Sequence, residues 1–226
     1  MKQHLADKTG AAAGGVHAEG TSRRGLLRGM VAAGGALAGA ASAPRVFAQA
    51  WSMPQQHRRV LDVAAQQRDR VANLLWHTDV VGIADFSLPS SLPRFHFADL
   101  QAGRVDSILV AHGRGSDPEH DGFLKFFSNQ INSLATSRGA FVTNEWYRGK
   151  YGSSIRLTGV DPDNNMAQDR AIVVHPAWYA NPDMLAKWGK LGRSDGCFAM
   201  PEADFTQALW RLAAGRLIYA DRLGLA

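Results

Sequence analysis

The chain has 226 residues, with 25 Lys and Arg against 20 Asp and Glu, a formal charge of +5, 46% hydrophobic residues and one cysteine. A single cysteine excludes an internal disulfide framework and a Cys-rich zinc site, and the hydrophobic share excludes a chain disordered throughout. The length suits one domain with an extra segment, and the positive charge argues for nucleic acid or an acidic surface only if it belongs to the folded part.

Taken in chain order, residues 1–20 are Ala, Gly and polar residues without periodicity. Ser22-Arg23-Arg24 and Leu26-Leu27-Arg28 come next, then an uncharged Ala/Gly-rich run to Pro44 and the small-x-small triplet Ala48-Gln49-Ala50. A charged region, a weakly apolar region and a cleavage triplet in that order read as an export signal, and the paired arginines resemble the twin-arginine type. The apolar run is short for a membrane span of about 20 residues. The expected organisation is a cleaved signal over 1–50, an N-terminal helix over 51–78 and one folded domain over 79–226. Export to the periplasm follows, with no stable membrane insertion after cleavage. Residues 1–50 hold six of the Lys and Arg and two of the acidic residues, leaving 19 against 18 beyond them. The excess charge is therefore largely the signal's, and no nucleic-acid partner is expected.

Residues 54–77 show helical spacing of Val60, Ala64, Val71, Leu74 and Leu75. Val80, Val81 and Ile83 predict a strand that ends at Ser87-Leu88-Pro89. Phe95 and Phe97 alternate with His96 and Ala98, Ala102-Gly103 signals a turn, and Val105–His112 is mostly apolar, which together predict a β-hairpin. Residues 113–139 read as a long loop, a length that in compact domains tends to carry function. Phe141-Val142 and Ser154–Leu157 read as short strands around a turn at Tyr147–Gly152, and Ala171–His175 as a buried strand. A second long loop, 176–196, ends at Cys197. Pro201 opens a helix with Phe205, Leu209 and Leu212 in phase, Gly215 stops it, and Leu217–Tyr219 makes a last strand. The class is mostly β with helices at either end.

The chemistry-bearing pattern is Ile172-Val173-Val174-His175, a loop, then Gly192-Arg193-Ser194-Asp195-Gly196-Cys197. A thiol titrates near ~8.5 and needs a base within hydrogen-bond reach to become a nucleophile. His175 is the candidate base. Gly196 permits a tight turn in which its own N–H and that of Cys197 point at a developing oxyanion. The plainer alternatives are a small buried hydrophobe for Cys197 and a satisfied structural histidine for His175.

These residues resemble the L,D-transpeptidase catalytic domain, the YkuD-like family, whose signature is a histidine, a spacer and then Ser/Thr-His-Gly-Cys. A divergent branch, the murein L,D-transpeptidase catalytic domain proteins, is similar further: at His112-Gly113, Phe127-Ser128-Asn129, Gly139-x-Phe141-x-Thr143, Tyr147-x-Gly149-x-x-Gly152, Ser154-x-Arg156-Leu157-x-Gly159 and Arg170–His175, as well as Gly192–Cys197. The resemblance covers roughly residues 95–200. It implies a YkuD-type β-sandwich with flanking helices and acyl transfer on peptidoglycan stem peptides. Cys197 would attack as thiolate, His175 as imidazolium would protonate the departing amine, and no cofactor or metal is required. Asp195 stands where the signature has histidine. A carboxylate there raises the thiol pKa if it points inward, so Asp195 is expected to face away or to pair with Arg193. Ser194 is grouped with the catalytic residues. His112, Tyr151 and Arg193 are the candidate substrate contacts, with a strand-end turn, packing and loop support as their respective structural alternatives. A hydrolase using the same acyl-enzyme (an L,D-carboxypeptidase or amidase), a non-catalytic wall-binding module and a thiol-based redox protein are the competing functions.

Overall fold

The computed structural model describes residues 54–225; the expected export signal over 1–50 lies outside them. The expected helix is α1, Gln55–Arg70, followed by a short 3₁₀ turn at Ala72–Leu74. Val60 and Ala64 face inward, and Arg68 and Arg70 in the last turn complement the negative end of the helix dipole. Arg70 forms a two-pronged ion pair with Asp161, Nη1–Oδ1 2.6 Å and Nη2–Oδ2 2.9 Å, tying this helix to the segment after the central hairpin.

Eight strands follow: β1 Val80–Asp85, β2 Phe95–Asp99, β3 Arg104–Ile108, β4 Gly139–Gly149, β5 Gly152–Gly159, β6 Val173–Pro176, β7 Phe198–Met200 and β8 Leu217–Asp221. They make one continuous sheet in the order β3-β2-β1-β8-β4-β5-β6-β7. The chain just past β3 reaches β7, where Ala111 pairs with Ala199, so the two ends of the sheet are stitched together. Two parallel pairs, β1 with β8 and β6 with β7, interrupt an otherwise antiparallel arrangement.

The period-two alternation sorts side chains into two layers. Phe95, Phe97, Ile108, Phe141, Ile155, Leu157, Val174, Phe198 and Ile218 form the main core. Phe205, Ala208 and Leu212 of α3, Glu202–Leu212, pack into the same core. The opposite faces of β1, β2, β3 and β8, with Val81, Ile83, Ala98, Val105 and Leu217, are covered by Val60 and Ala64 of α1. Each such apolar side chain taken fully out of water contributes roughly 1.5–3 kcal/mol. The fold is thus mostly β with flanking helices, as the sequence predicts.

Several boundaries differ from expectation. The strands around Phe141 and Ser154 extend into a long hairpin whose turn is only Lys150-Tyr151, with Gly152 at φ 82°. Tyr147, Arg148 and Gly149 are ladder residues, because β-forming side chains and the pairing of Gly149 with Gly152 carry the strands out past the core. The 176–196 segment contains a 3₁₀ turn, Trp178–Ala180, and a short helix α2, Asp183–Trp188, capped by Gly189 in the left-handed region. Between Cys197 and Pro201 lies the unexpected strand β7.

Candidate active site

The parallel register of β6 and β7 builds the site. Val174 pairs with Phe198, and both point into the main core. His175 follows the first of these residues and Cys197 precedes the second, so the two candidates flank one registered pair. His175 is 2% exposed and Cys197 8%. The His175 Nδ1–H donates to Pro176 O at 2.9 Å; a carbonyl only accepts, so in the neutral ring Nε2 carries the lone pair. Cys197 Sγ donates to Ala171 O at 3.7 Å, and no hydrogen bond joins it to His175 among the described residues.

The electrostatics favour neutral groups at rest. Burial pushes the Cys197 thiol up to about 11; a bond from Val173 N–H and the charge of Arg170 work the other way, and Asp195 adds to the rise. Burial also lowers the pKa of His175, against a smaller raising contribution from its bond to Pro176. The resting pair is therefore thiol and imidazole, and the thiolate has to be formed by passing its proton to a base.

Ser194 is buried and shapes the turn. Its Oγ donates to Cys197 O at 2.7 Å and accepts from Gly196 N–H at 3.1 Å. That second bond corrects the role expected for Gly196: its N–H is already engaged and does not point at an oxyanion. The N–H of Cys197 has no such internal partner among the described residues. Gly196 is required for a different reason, since φ is 117° and an added Cβ would lie 2.8 Å from Ala135 O.

Asp195 faces outward as expected, but it pairs with Arg114, at 2.8 Å, rather than with Arg193. Arg193 Nη1 donates to the carbonyls of Asp117 and Pro118, the loop-supporting alternative of its two expected roles. His112 is corrected outright as a substrate contact. It is 1% exposed, its Nδ1 accepts from Arg94 at 2.6 Å, and its Nε2–H faces Asp117 at 3.3 Å, so neither ring nitrogen is open to a ligand. Its backbone does support the site, because His112 O accepts from Ser194 N–H at 2.9 Å. Tyr151, by contrast, lies at the hairpin turn, 44% exposed, with its ring stacked on His175 at 4.5 Å and 24°.

Two neighbours of Cys197 were not singled out in the sequence. Tyr179, in the 3₁₀ turn after β6, has its phenol raised mainly by burial, with smaller raising influences from Cys197, Tyr151 and Asp195. Its ring fits against Gly192, where a Cβ would come within 2.6 Å of Tyr179 Cβ. Arg170, in the segment leading into β6, is the other. Arg170 opens the Arg170–His175 motif of the resemblance, but its relation to Cys197 depends on the folded turn, and Tyr179 lies in no local signature. Among the described residues no group of three or more His, Cys, Asp or Glu is arranged to hold a metal ion.

Fold and site together define a mostly-β domain with a buried histidine on β6 and a buried cysteine just before its parallel neighbour β7. The family model for the L,D-transpeptidase catalytic domain matches residues 53–220, and the chain belongs to that family. Solved structures similar to it include an L,D-transpeptidase from Mycobacterium smegmatis, at 16% identity and a TM-score of 0.39 over 63% of this chain and 58% of that one. An L,D-transpeptidase from Mycobacterium tuberculosis has 17% identity and a TM-score of 0.41 over 63% and 57%. The helical cell shape determining protein Pgp2 from Campylobacter jejuni has 12% and 0.39 over 75% and 57%. The chain spans less than two thirds of the length of each of these. No curated protein matches it.

Proposed function

We propose that this protein is a peptidoglycan-modifying acyltransferase of the L,D-transpeptidase type that works through a Cys197 thioester. The observation that carries the reading is the placement of Cys197 and His175 about one registered strand pair, with the histidine's Nδ1–H tied to Pro176 O. That tie fixes Nε2 as the basic nitrogen. Because the resting pair is neutral, the step is base-assisted: Nε2 takes the thiol proton as sulfur attacks the carbonyl of an L–D peptide bond in a stem peptide. The imidazolium then gives that proton to the departing amine, and a second stem's amine resolves the thioester. The Cys197 N–H is the available backbone donor for the tetrahedral oxyanion, held in place by Ser194. Tyr151 is the proposed substrate contact, exposed on one side and stacked on His175 on the other. Export by the twin-arginine route to the periplasm suits this reading, since a stem peptide lies outside the inner membrane.

The test uses purified protein, tetrapeptide muropeptides and mass spectrometry. Cross-linked dimers support transpeptidation. Tripeptide alone moves the reading to a carboxypeptidase with the same acyl-enzyme. Cys197→Ala should abolish both products and the thioester adduct; wild-type product formation by that variant would sink the nucleophile assignment.

A further inference from the structure

Arg170 is a cation without a partner carboxylate among the described residues. Its Nη1 donates to Ser128 O at 2.7 Å and to Ser137 Oγ, and its Nη2 donates to Ala135 O. All of these acceptors are uncharged, and no ion pair includes Arg170 among the described residues. Burial works against its charge, with negative charge at Cys197 the opposing influence. Leaving a partly buried guanidinium unpaired is costly, so its location matters. Nη2 lies against the cysteine turn, 3.1 Å from where a Cβ on Gly196 would stand. The next residue, Ala171, is held at φ 53°, unusual for a residue with a Cβ. In that conformation its carbonyl accepts the Cys197 S–H. One dipeptide therefore holds the thiol's resting acceptor through its backbone and an uncompensated positive charge through its side chain.

We propose that Arg170 is a positioning residue whose unpaired charge, held against the cysteine turn, stabilises the Cys197 thiolate as it forms. The titratable and charged groups around the thiol are Arg170 before β6, His175 on β6, Tyr179 in the turn after it and, on the cysteine's own loop, Asp195, which faces outward in an ion pair with Arg114. Arg170 is the cation among them that no carboxylate neutralises. The proposal rests on Cys197 being the nucleophile, but its test reads the thiol directly and needs no turnover.

The experiment compares Arg170→Gln with Arg170→Lys. Both lose the forked contacts to Ser128, Ser137 and Ala135, while only lysine keeps the charge. The rate of iodoacetamide alkylation at Cys197, the protein's only cysteine, is followed from about pH 8 to 10 by intact mass. The expected result is a glutamine variant alkylated about tenfold more slowly than the lysine variant at each pH, a displacement of about one pH unit. Superimposable profiles would overturn the proposal. Failure of both variants to fold would overturn it too, by making Arg170 a purely structural group. Loss of the underlying catalytic reading has a different signature, namely unchanged muropeptide products from Cys197→Ala.

Discussion

At the scale of single residues, His112 joins the core to the cysteine turn. Arg94 is fully buried, donates to Val110 O and Leu88 O, lies 5.0 Å from the Phe86 ring centroid and meets His112 at Nδ1. Burial lowers the Arg94 pKa to about 9, with Asp117 and Asp85 opposing, so it is still a cation at neutral pH. His112 bridges that cation to Asp117 as a neutral imidazole. Burial and the adjacent Arg94 lower its pKa, against the raising influence of Asp117. Replacing His112 by alanine takes away the ring nitrogen that accepts from the buried Arg94, and losing a hydrogen bond to a charged group costs about 1.5–3 kcal/mol. Urea unfolding at pH 7 should show a loss of that size. The pH dependence has a definite sign: a depressed folded pKa gives stability that is present above the unfolded imidazole's ~6.5 and is lost as pH falls below it. The gap between wild type and His112→Ala should accordingly narrow on acidification. A constant gap from pH 7 to pH 5 would mean that His112 contributes packing alone. Nothing local in His112-Gly113 separates this role from a cleft position, because the distinction depends on Arg94, 18 residues earlier, and on a loop aspartate.

At the scale of elements, the hairpin of β4 and β5 shows which features the sequence makes legible. Its core end was readable, since Phe141, Ile155 and Leu157 alternate inward. Its outer end was not, since Glu145, Trp146, Arg148 and Lys150 are exposed and no buried face marks a period of two. Strand β7 was hidden for another reason: three residues between a turn and a proline have no periodicity, and only pairing with β6 and Ala111 makes them a strand. Helix α2 buries no residue, so it lacked an apolar stripe to detect. Cys197 and His175 were legible as residue types, whereas the competition of Ser194 for the Gly196 N–H depends on how the turn folds. The end of β5 is where a single change should damage an element most. A Cβ at Gly159 would sit 1.9 Å from Asn164 O, a backbone atom, and 2.6 Å from Asn164 Oδ1. Asn164 is buried and donates from Nδ2 to Ala140 O at 2.8 Å, locking the turn after β5 onto β4. Gly159→Ala must displace that backbone, so a loss of at least the roughly 1–3 kcal/mol typical of overpacking is expected. Thermal unfolding of the variant reads it directly, and an unchanged midpoint would show that the turn after β5 yields without cost.

At the scale of the molecule, closure depends on a clasp at the end of β1. Asp85 is fully buried at the strand's end. Its Oδ1 accepts from Ser87 N–H at 3.0 Å, Ser87 Oγ–H at 2.6 Å and Leu223 N–H at 2.9 Å, and its Oδ2 accepts from Leu225 N–H at 2.8 Å. The segment after β8 is thereby folded back beneath α1, where Arg59 donates to Gly224 O at 2.7 Å and Leu225 joins Val60 in the second core layer. Burial alone would raise the Asp85 pKa; the hydrogen bonds from Ser87, Leu225 and Leu223 outweigh it and hold the carboxyl below its ordinary value. A depressed carboxyl pKa gives stability present above the unfolded ~3.9 and lost as pH falls through the folded value. Asp85→Asn turns an acceptor-only group into one that directs an NH₂ at backbone N–H donors, and losing charge-assisted bonds at a buried site costs about 1.5–3 kcal/mol. Two readings check this. Urea unfolding at pH 7 should show the loss, with the difference from wild type shrinking below about pH 4. Hydrogen exchange should show faster exchange at the Leu223 and Leu225 amides, while amides of the main-core strands β4 and β5 stay protected. If those two amides exchange as slowly in Asp85→Asn as in wild type, the carboxylate is not what closes the molecule, and the packing of Leu225 against Val60 must be sufficient by itself.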